Sequence, residues 1–309
     1  MLYHEVGVDP KPDTVIELGV FLSAFGFHRG RLISRYPQDW SNKVRENLSH
    51  VPDQNIKLKI SSLLSNQLFL NSIVDFGREK LPGEWLESAS RQHFIKPFNA
   101  LINLERNEPP NFYSLSNIDN YINESEESIG ELTITNASVD SILSELKPFL
   151  RVNKKIVLEN YGQTFLTQRK TENLFKNFFK LWSDLGGRDF TSIVSLTRLG
   201  DNVISAEIAR LEIFLKELKY KGNFKLIAVN DDSNKLHERY LLGPFGGIEM
   251  GYGLETTSQR DHTWKILNKA TFIKMKSKFF DHDIRDTYLN HRTFFYSMRK
   301  ISDISSRGS

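Results

Sequence analysis

The chain has no cysteine, which excludes disulfide staples, thiolate nucleophiles and cysteine-ligated zinc, and fits a reducing compartment such as the cytoplasm. It has no apolar run of about 18 residues, so no segment reads as a membrane span and a membrane partner is not expected. The opening stretch MLYHEVGVDPKPD lacks the basic-then-apolar order of a secretory leader. Neither sign of charge is in excess: 41 Lys and Arg face 38 Asp and Glu, a formal net charge of +3. Bulk electrostatics therefore does not announce a polyanion-binding protein, although acidic segments elsewhere can mask a basic stripe. No Gly-Lys-Ser/Thr follows the glycine cluster GPFGGIEMGYG, so it is not a nucleotide-binding Walker loop.

Aromatic and apolar residues are plentiful. Hydrophobic residues make up 39% of the 309, with 22 Phe, enough to build a core. The length exceeds the usual domain of about 100 to 150 residues, so two domains are expected. In TVIELGVFLSAF, Val15, Leu18, Phe21, Leu22 and Phe25 recur at helical spacing, with Asp13 as N-cap and Gly26 as stop. DWSNKVRENLSH and NIKLKISSLLSNQLFL continue the pattern, so residues 1–107 read as a mainly α-helical module. Turn formers and carboxylates then replace periodicity, and 108–130 reads as a linker.

Beyond it, the β-rich runs ELTITN, KKIVLEN, TSIVSLTR and FKLIAVN alternate with helical patterns. That alternation predicts an α/β domain with parallel strands over 131–304. HERYLLGP, GIEMGYG and HTWKILNKATFIKM read as added strands, DIRDTYLNHRTFFYSMRKISD as a helical tail, and 305–309 as an appended tail.

The chemistry-bearing pattern is His237-x-Arg239. Strand alternation along LHERYLL puts His237, Arg239 and Leu241 on one face, so both polar side chains can reach one place. Three readings stay open. His237 is a nucleophile; or His237 and Arg239 form a buried polar pair satisfied by Glu238 or Glu255; or they bind phosphate without turnover, aided by amides of the glycine-rich turn, Gly246, Gly247, Gly251 and Gly253.

These residues resemble the phospholipase D superfamily, whose motif is H-x-K, then an aspartate, then glycine-serine-x-asparagine. Counted from His237, the lysine falls on Arg239 and the glycine on Gly251, while Pro244, Tyr252 and Leu254 stand where the family has aspartate, serine and asparagine. LHER, GYGLE and HTWKILNKATF are similar to the LHDR, G-x-GL-D and polar-Trp-x-x-Leu segments of divergent branches, and the likeness covers somewhat over half of the chain. In the family one histidine attacks phosphorus, a second protonates the leaving oxygen, and no metal or cofactor takes part. The resemblance therefore implies His237 as nucleophile, Arg239 as phosphoryl contact and Glu255 as part of the catalytic pocket. A single H-x-R implies that a homodimer supplies the second histidine. It also implies nucleic acid as partner, within a bacterial defence or DNA-processing complex; the alternative is a non-catalytic subunit that recognises a protein or an anionic lipid. Arginine suits binding better than turnover, because its planar fork differs from lysine's point charge. Each missing donor or orienter costs roughly 2.7 to 4 kcal/mol of transition-state stabilisation if it acts like an oxyanion-hole group.

Other clusters carry blander readings. Asp281, His282, Asp283, Asp286 and His291 match no recognised metal spacing and read as a helix cap and a solvated face. His28, Arg29 and Arg31 read as an exposed basic turn with the option of an anion contact. In RKTENLFKNFFKLW, Arg169, Lys170, Lys176 and Lys180 surround aromatics, an arrangement that reads as core on one side and wet lysines on the other before it reads as a nucleic-acid grip.

Overall fold

The computed structural model describes residues 1–309 except 80, 104–110, 163, 197–200, 232–238, 256–261, 284–292 and 299–309. The chain is mixed α/β and divides into two compact units, Met1–Gly130 and Glu131–Ser309.

The first unit contains the expected helices, but they flank a parallel sheet that helical periodicity did not announce. Strands β1 (His4–Val8), β2 (Arg31–Ser34), β3 (Ile73–Val74), β4 (Ala100–Asn103) and β5 (Phe112–Ser114) lie in the order β3-β2-β1-β4-β5. Helix α1 (Pro12–Val20) begins at Pro12, with Lys11 rather than Asp13 as N-cap. Proline suits that first turn because its missing N–H would be unpaired there anyway. α1, α2 (Trp40–Ser49), α3 (Gln54–Ser65) and α4 (Gln67–Ser72) pack on one face, around Val6, Val8, Leu18, Trp40, Val44 and Ile102. α5 (Trp85–Ile95) packs on the other, around Tyr36, Ala89, Phe98 and Leu101. Residues 112–126, read from sequence as linker, instead supply β5 and α6 (Ile118–Glu126), whose Ile118 and Tyr121 enter the core.

The basic turn at 27–31 is also corrected. Arg31 is buried and donates to Ser125 Oγ at 2.8 Å, Ile122 O at 2.6 Å and Ala24 O at 3.3 Å. It closes the carboxyl end of α6, where a cation meets unpaired carbonyls and the negative end of the helix dipole.

In the second unit β6 (Glu131–Thr133), α7 (Val139–Val152), β7 (Lys155–Tyr161), α8 (Arg169–Asp184), β8 (Asp189–Leu196), α9 (Asp201–Glu217) and β9 (Asn223–Asn230) follow the expected alternation. β10 (Tyr240–Gly243), β11 (Gly246–Glu249), β12 (Thr263–Ile266) and β13 (Thr293–Met298) follow, and the sheet order is β13-β9-β8-β7-β10-β11-β12-β6. β7, β8 and β9 are mutually parallel, and β10 pairs antiparallel to β7. Two expectations fail. Lys269–Lys276 is helix α10, started by Asn268, whose Oδ1 accepts the Thr271 N–H at 2.9 Å. Thr293–Met298 is strand β13, antiparallel to β9, in place of a helical tail. Its aromatic, β-rich run finds a ladder partner, and that pairing decides an apolar segment which periodicity alone cannot.

The aromatics of α8 settle its reading. Leu174, Phe175, Phe178, Phe179 and Trp182 are all buried, and Phe179 and Trp182 stack edge-on against Phe190 of β8. They are core, and unavailable for stacking on bases. Among the described residues no helix is long and apolar enough to cross a membrane.

Candidate functional site

Topology brings one end of the second sheet together. β10 pairs antiparallel to β7 with Tyr240 opposite Glu159, so Arg239 enters beside Asn160 and Tyr161, the last residues of β7. β11 returns to that same end, where residues 250–255 turn before β12 begins at Thr263. The carboxyl ends of β7 to β9, the start of β10 and the 250–255 turn thus share one edge. Carboxyl edges are where open α/β sheets bind ligands, because the loops there are free to vary while the strands hold them rigidly.

Arg239 is the centre of that edge. It donates from Nη1 to Gly251 O at 2.9 Å, and its guanidinium carbon lies 5.3 Å from the centroid of the Tyr161 ring. Its Nε is buried without a hydrogen-bond partner. Burial lowers its pKa from the ordinary guanidinium value, against the opposing pull of Tyr161, Tyr252 and Glu255. The group still keeps its charge, since guanidinium does not deprotonate in proteins. One of five N–H donors is therefore committed, in a setting where unmatched buried donors are uncommon.

Glu255 stands next to this cation and is largely buried. Its Oε1 accepts from Lys170 Nζ at 2.9 Å, the lysine being 65% exposed. Lys170 and the exposed Arg169 occupy the first turn of α8. The positive end of a helix dipole disfavours cations there, and Glu172 in the same turn and Glu255 beside Lys170 offset the two charges.

The turn is built around His262, which sequence reasoning passed over. Its ring is 1% exposed. Nε2 accepts the Tyr252 N–H at 2.9 Å, and Nδ1 lies 3.0 Å from Glu255 O. Nε2 also lies 3.1 Å from Met250 O, but the Tyr252 N–H approaches it more closely, which assigns the neutral Nδ1–H tautomer, accepting at Nε2 and donating from Nδ1 to Glu255 O; burial lowers the pKa. Trp264 Nε1 reaches both Gly253 O and His262 Nε2 at 3.1 Å. Both ring nitrogens are engaged in holding backbone, so His262 is a positioning residue with no nitrogen to spare for proton transfer. Apart from Trp264 its ring partners are backbone groups, which leave little side-chain pattern to find in a sequence.

Gly253 is fixed by geometry. Its φ is +80°, and a Cβ there would lie 2.3 Å from Asn160 Oδ1 and 3.3 Å from Arg239 Cδ, so the turn can approach the strand ends only with glycine. Gly251 supplies the carbonyl that anchors Arg239. Gly246 and Gly247 do not belong with them. They start β11 at the opposite end of the β10–β11 hairpin, where Gly243 pairs with Gly246, about 13 Å from Arg239 at 3.3 Å per residue. A Cβ on Gly247 would meet Leu242 and Leu267 side chains at 2.7 Å, so its smallness serves core packing. The phosphate-binding role read for Gly246 and Gly247 is therefore withdrawn.

His237 and Glu238 lie outside the described residues, as do Asp286 and His291. Among the described residues no group of three or more His, Asp or Glu is placed to hold a metal.

The loop between β7 and α8 carries its own anion. Glu207 of α9 is buried, and its carboxylate accepts from the Phe165, Leu166 and Thr167 N–H groups at 2.8 to 3.1 Å. Those amides, which could otherwise cradle a phosphate, are already filled. The clamp fixes the approach to α8 and with it Lys170. Beside it Ser195, near the end of β8, buries an Oγ with no hydrogen-bond partner.

No protein-family model matches the chain, and no curated protein matches it. Among solved structures it is similar to TrmBL2, an archaeal chromatin protein whose structure shows a novel mode of DNA binding. The identity is 13%, over 91% of this chain and 98% of that one, with a TM-score of 0.30. A likeness at that level carries no argument here.

Proposed function

We infer that the carboxyl edge of the second sheet receives a phosphodiester, in the form of a nucleic-acid backbone, and that this unit serves as a binding module. The observation that carries the reading is Arg239, which has one donor committed, Nε unmatched and its guanidinium over Tyr161. Guanidinium presents a planar fork suited to two phosphate oxygens. Arg169 and Lys170 at the start of α8 extend the positive surface toward a second phosphate, and Glu255 holds Lys170 in place while the edge is empty. A neighbouring carboxylate tempers affinity for a single phosphate, which fits a module whose grip accumulates over several contacts along a strand.

Turnover asks for more than binding. A phosphohistidine mechanism uses a nucleophilic histidine and a second one as acid, and His262 is engaged on both nitrogens. Cleavage would require His237 from two copies of the chain, so the binding reading is preferred. A bacterial defence or DNA-processing complex is the proposed setting.

The test measures affinity for single- and double-stranded DNA and RNA across a salt series, comparing wild type with Arg239→Gln and Lys170→Ala. Each substitution is expected to weaken binding uniformly across sequences and to lower the salt slope by about 1. Unchanged affinity and slope in both variants would remove the reading, as would binding confined to anionic vesicles. Cleavage in chelator, abolished by His237→Ala, would instead establish a metal-independent phosphodiesterase.

A further inference from the structure

We propose that the first unit, Met1–Gly130, holds a small-molecule site of its own, shaped for a nucleoside phosphate. The strand order β3-β2-β1-β4-β5 reverses direction at β1. The chain leaves β1 through α1 on one face and arrives at β4 from α5 on the other. Loops on either side of such a reversal diverge, and the divergence opens a crevice beyond the carboxyl ends of the strands. A cavity of about 670 Å³ occupies that place, within the range of roughly 300 to 1,000 Å³ that encloses small ligands.

Besides the exposed Glu84 at its rim, its lining offers three chemistries. Asp9, directly after β1, and Asn103, the last residue of β4, line the cavity from the strand ends, and both are buried. Asp9 Oδ1 accepts the Lys11 N–H at 3.2 Å. A carboxylate so held repels phosphate but accepts hydroxyl donors, which places a sugar beside it. Lys11, which caps the start of α1, and Lys43 of α2 supply positive charge. Lys43 pairs with the exposed Glu46, at 2.8 Å on the helix surface, and also feels the charge of Asp39. Exposed pairs of this kind are weak, so an anionic ligand can exchange with Glu46 at little cost. On the α5 side, Trp85 and Leu86 give an apolar wall, and Trp85 Nε1 is fixed by donating to Tyr36 O at 3.1 Å. A half-buried indole locked at its polar corner is a platform for a planar ring.

Planar ring, polyol and anion together describe a nucleoside phosphate. The site lies within one unit and shares no residue with the Arg239 edge, so the two proposals fail independently.

The experiment is isothermal titration of the full chain with AMP, GMP, CMP, UMP and ATP, with adenosine and inorganic phosphate as the two halves of the ligand. Saturable binding of at least one nucleotide is expected, tighter than either half. Lys11→Ala with Lys43→Ala should weaken the nucleotide about tenfold and leave adenosine unchanged. Trp85→Leu should weaken both. The lysines lie at the surface, and thermal unfolding of the double variant serves as the folding control. Absence of saturable binding by all five nucleotides at millimolar concentration overturns the proposal. So does binding that the lysine pair and Trp85→Leu both leave intact.

Discussion

Replacing His262 tests whether one neutral imidazole organises the Arg239 edge. In His262→Ala the Tyr252 N–H loses its acceptor and the Glu255 carbonyl its donor, 2.9 and 3.0 Å away in the wild type. Each buried group left unmatched costs about 1 to 3 kcal/mol, and the vacated ring volume adds a cavity penalty. Trp264 keeps its second acceptor, Gly253 O at 3.1 Å, and so adds little. The expected loss is about 3 to 5 kcal/mol for the unit holding the turn. His262→Gln, whose amide oxygen can approach the place of Nε2, should lose about half as much. Urea denaturation gives the global value, and hydrogen exchange over residues 246–266 assigns it to the turn. Gly251 O anchors Arg239, so both variants should also weaken nucleic-acid binding, in the same order as their exchange rates. A loss below about 1 kcal/mol in His262→Ala, with exchange at Tyr252 unchanged, would refute the assignment of His262 as the anchor.

The same histidine sets a pH dependence. Its folded pKa is lowered by burial, so the unfolded chain binds the proton first as pH falls. Stability of the second unit is full above about 6.5 and declines below it until the folded ring also protonates; denaturation midpoints from pH 8 to 5 should fall in wild type and flatten in His262→Gln. Glu207→Gln puts an amide where a carboxylate accepts three N–H groups, and should cost about 2 to 4 kcal/mol with faster exchange at 164–168. An effect confined to the surface range, within about 0.5 kcal/mol, would mean the loop holds itself. In the first unit Arg78 makes two hydrogen bonds to Glu5, at 2.6 and 2.9 Å, and lies 3.4 Å over Phe98. Arg78→Ala strands a buried carboxylate and should lose about 3 to 5 kcal/mol, whereas Arg78→Met with Glu5→Leu should recover only part of it, because the Lys96 and Pro97 carbonyls and the Ser34 hydroxyl lose their partners. A thermal melt of the three proteins decides.

What the sequence made legible follows from what each element buries. α8 alternates Leu174, Phe175, Phe178, Phe179 and Trp182 with solvated lysines, so its 3.6-residue period survives in the text. β1 has no such signature. Val6 and Val8 face one set of helices while a Cβ on Gly7 would lie 2.4 Å from Leu101 on the other. A strand buried on both faces loses alternation and shrinks to a short apolar word. HEVGVDP therefore carries no strand signal in the text, and residues 1–107 read as mainly helical although β1 centres a parallel sheet there. At the second unit's edge, Arg239, Gly251, Gly253 and Glu255 are singled out in the sequence because their spacing resembles a motif, and the fold brings them together. His262 holds the same turn through backbone partners and carries no spacing rule. Motif spacing also swept in Gly246 and Gly247, because counting along the chain cannot tell the two ends of a hairpin apart. Antiparallel return puts residue 251 beside 239 and carries 246 away from it. The glycines nearest to Arg239 in sequence are therefore the ones a ligand at this edge would not meet, and the more distant pair shapes the site.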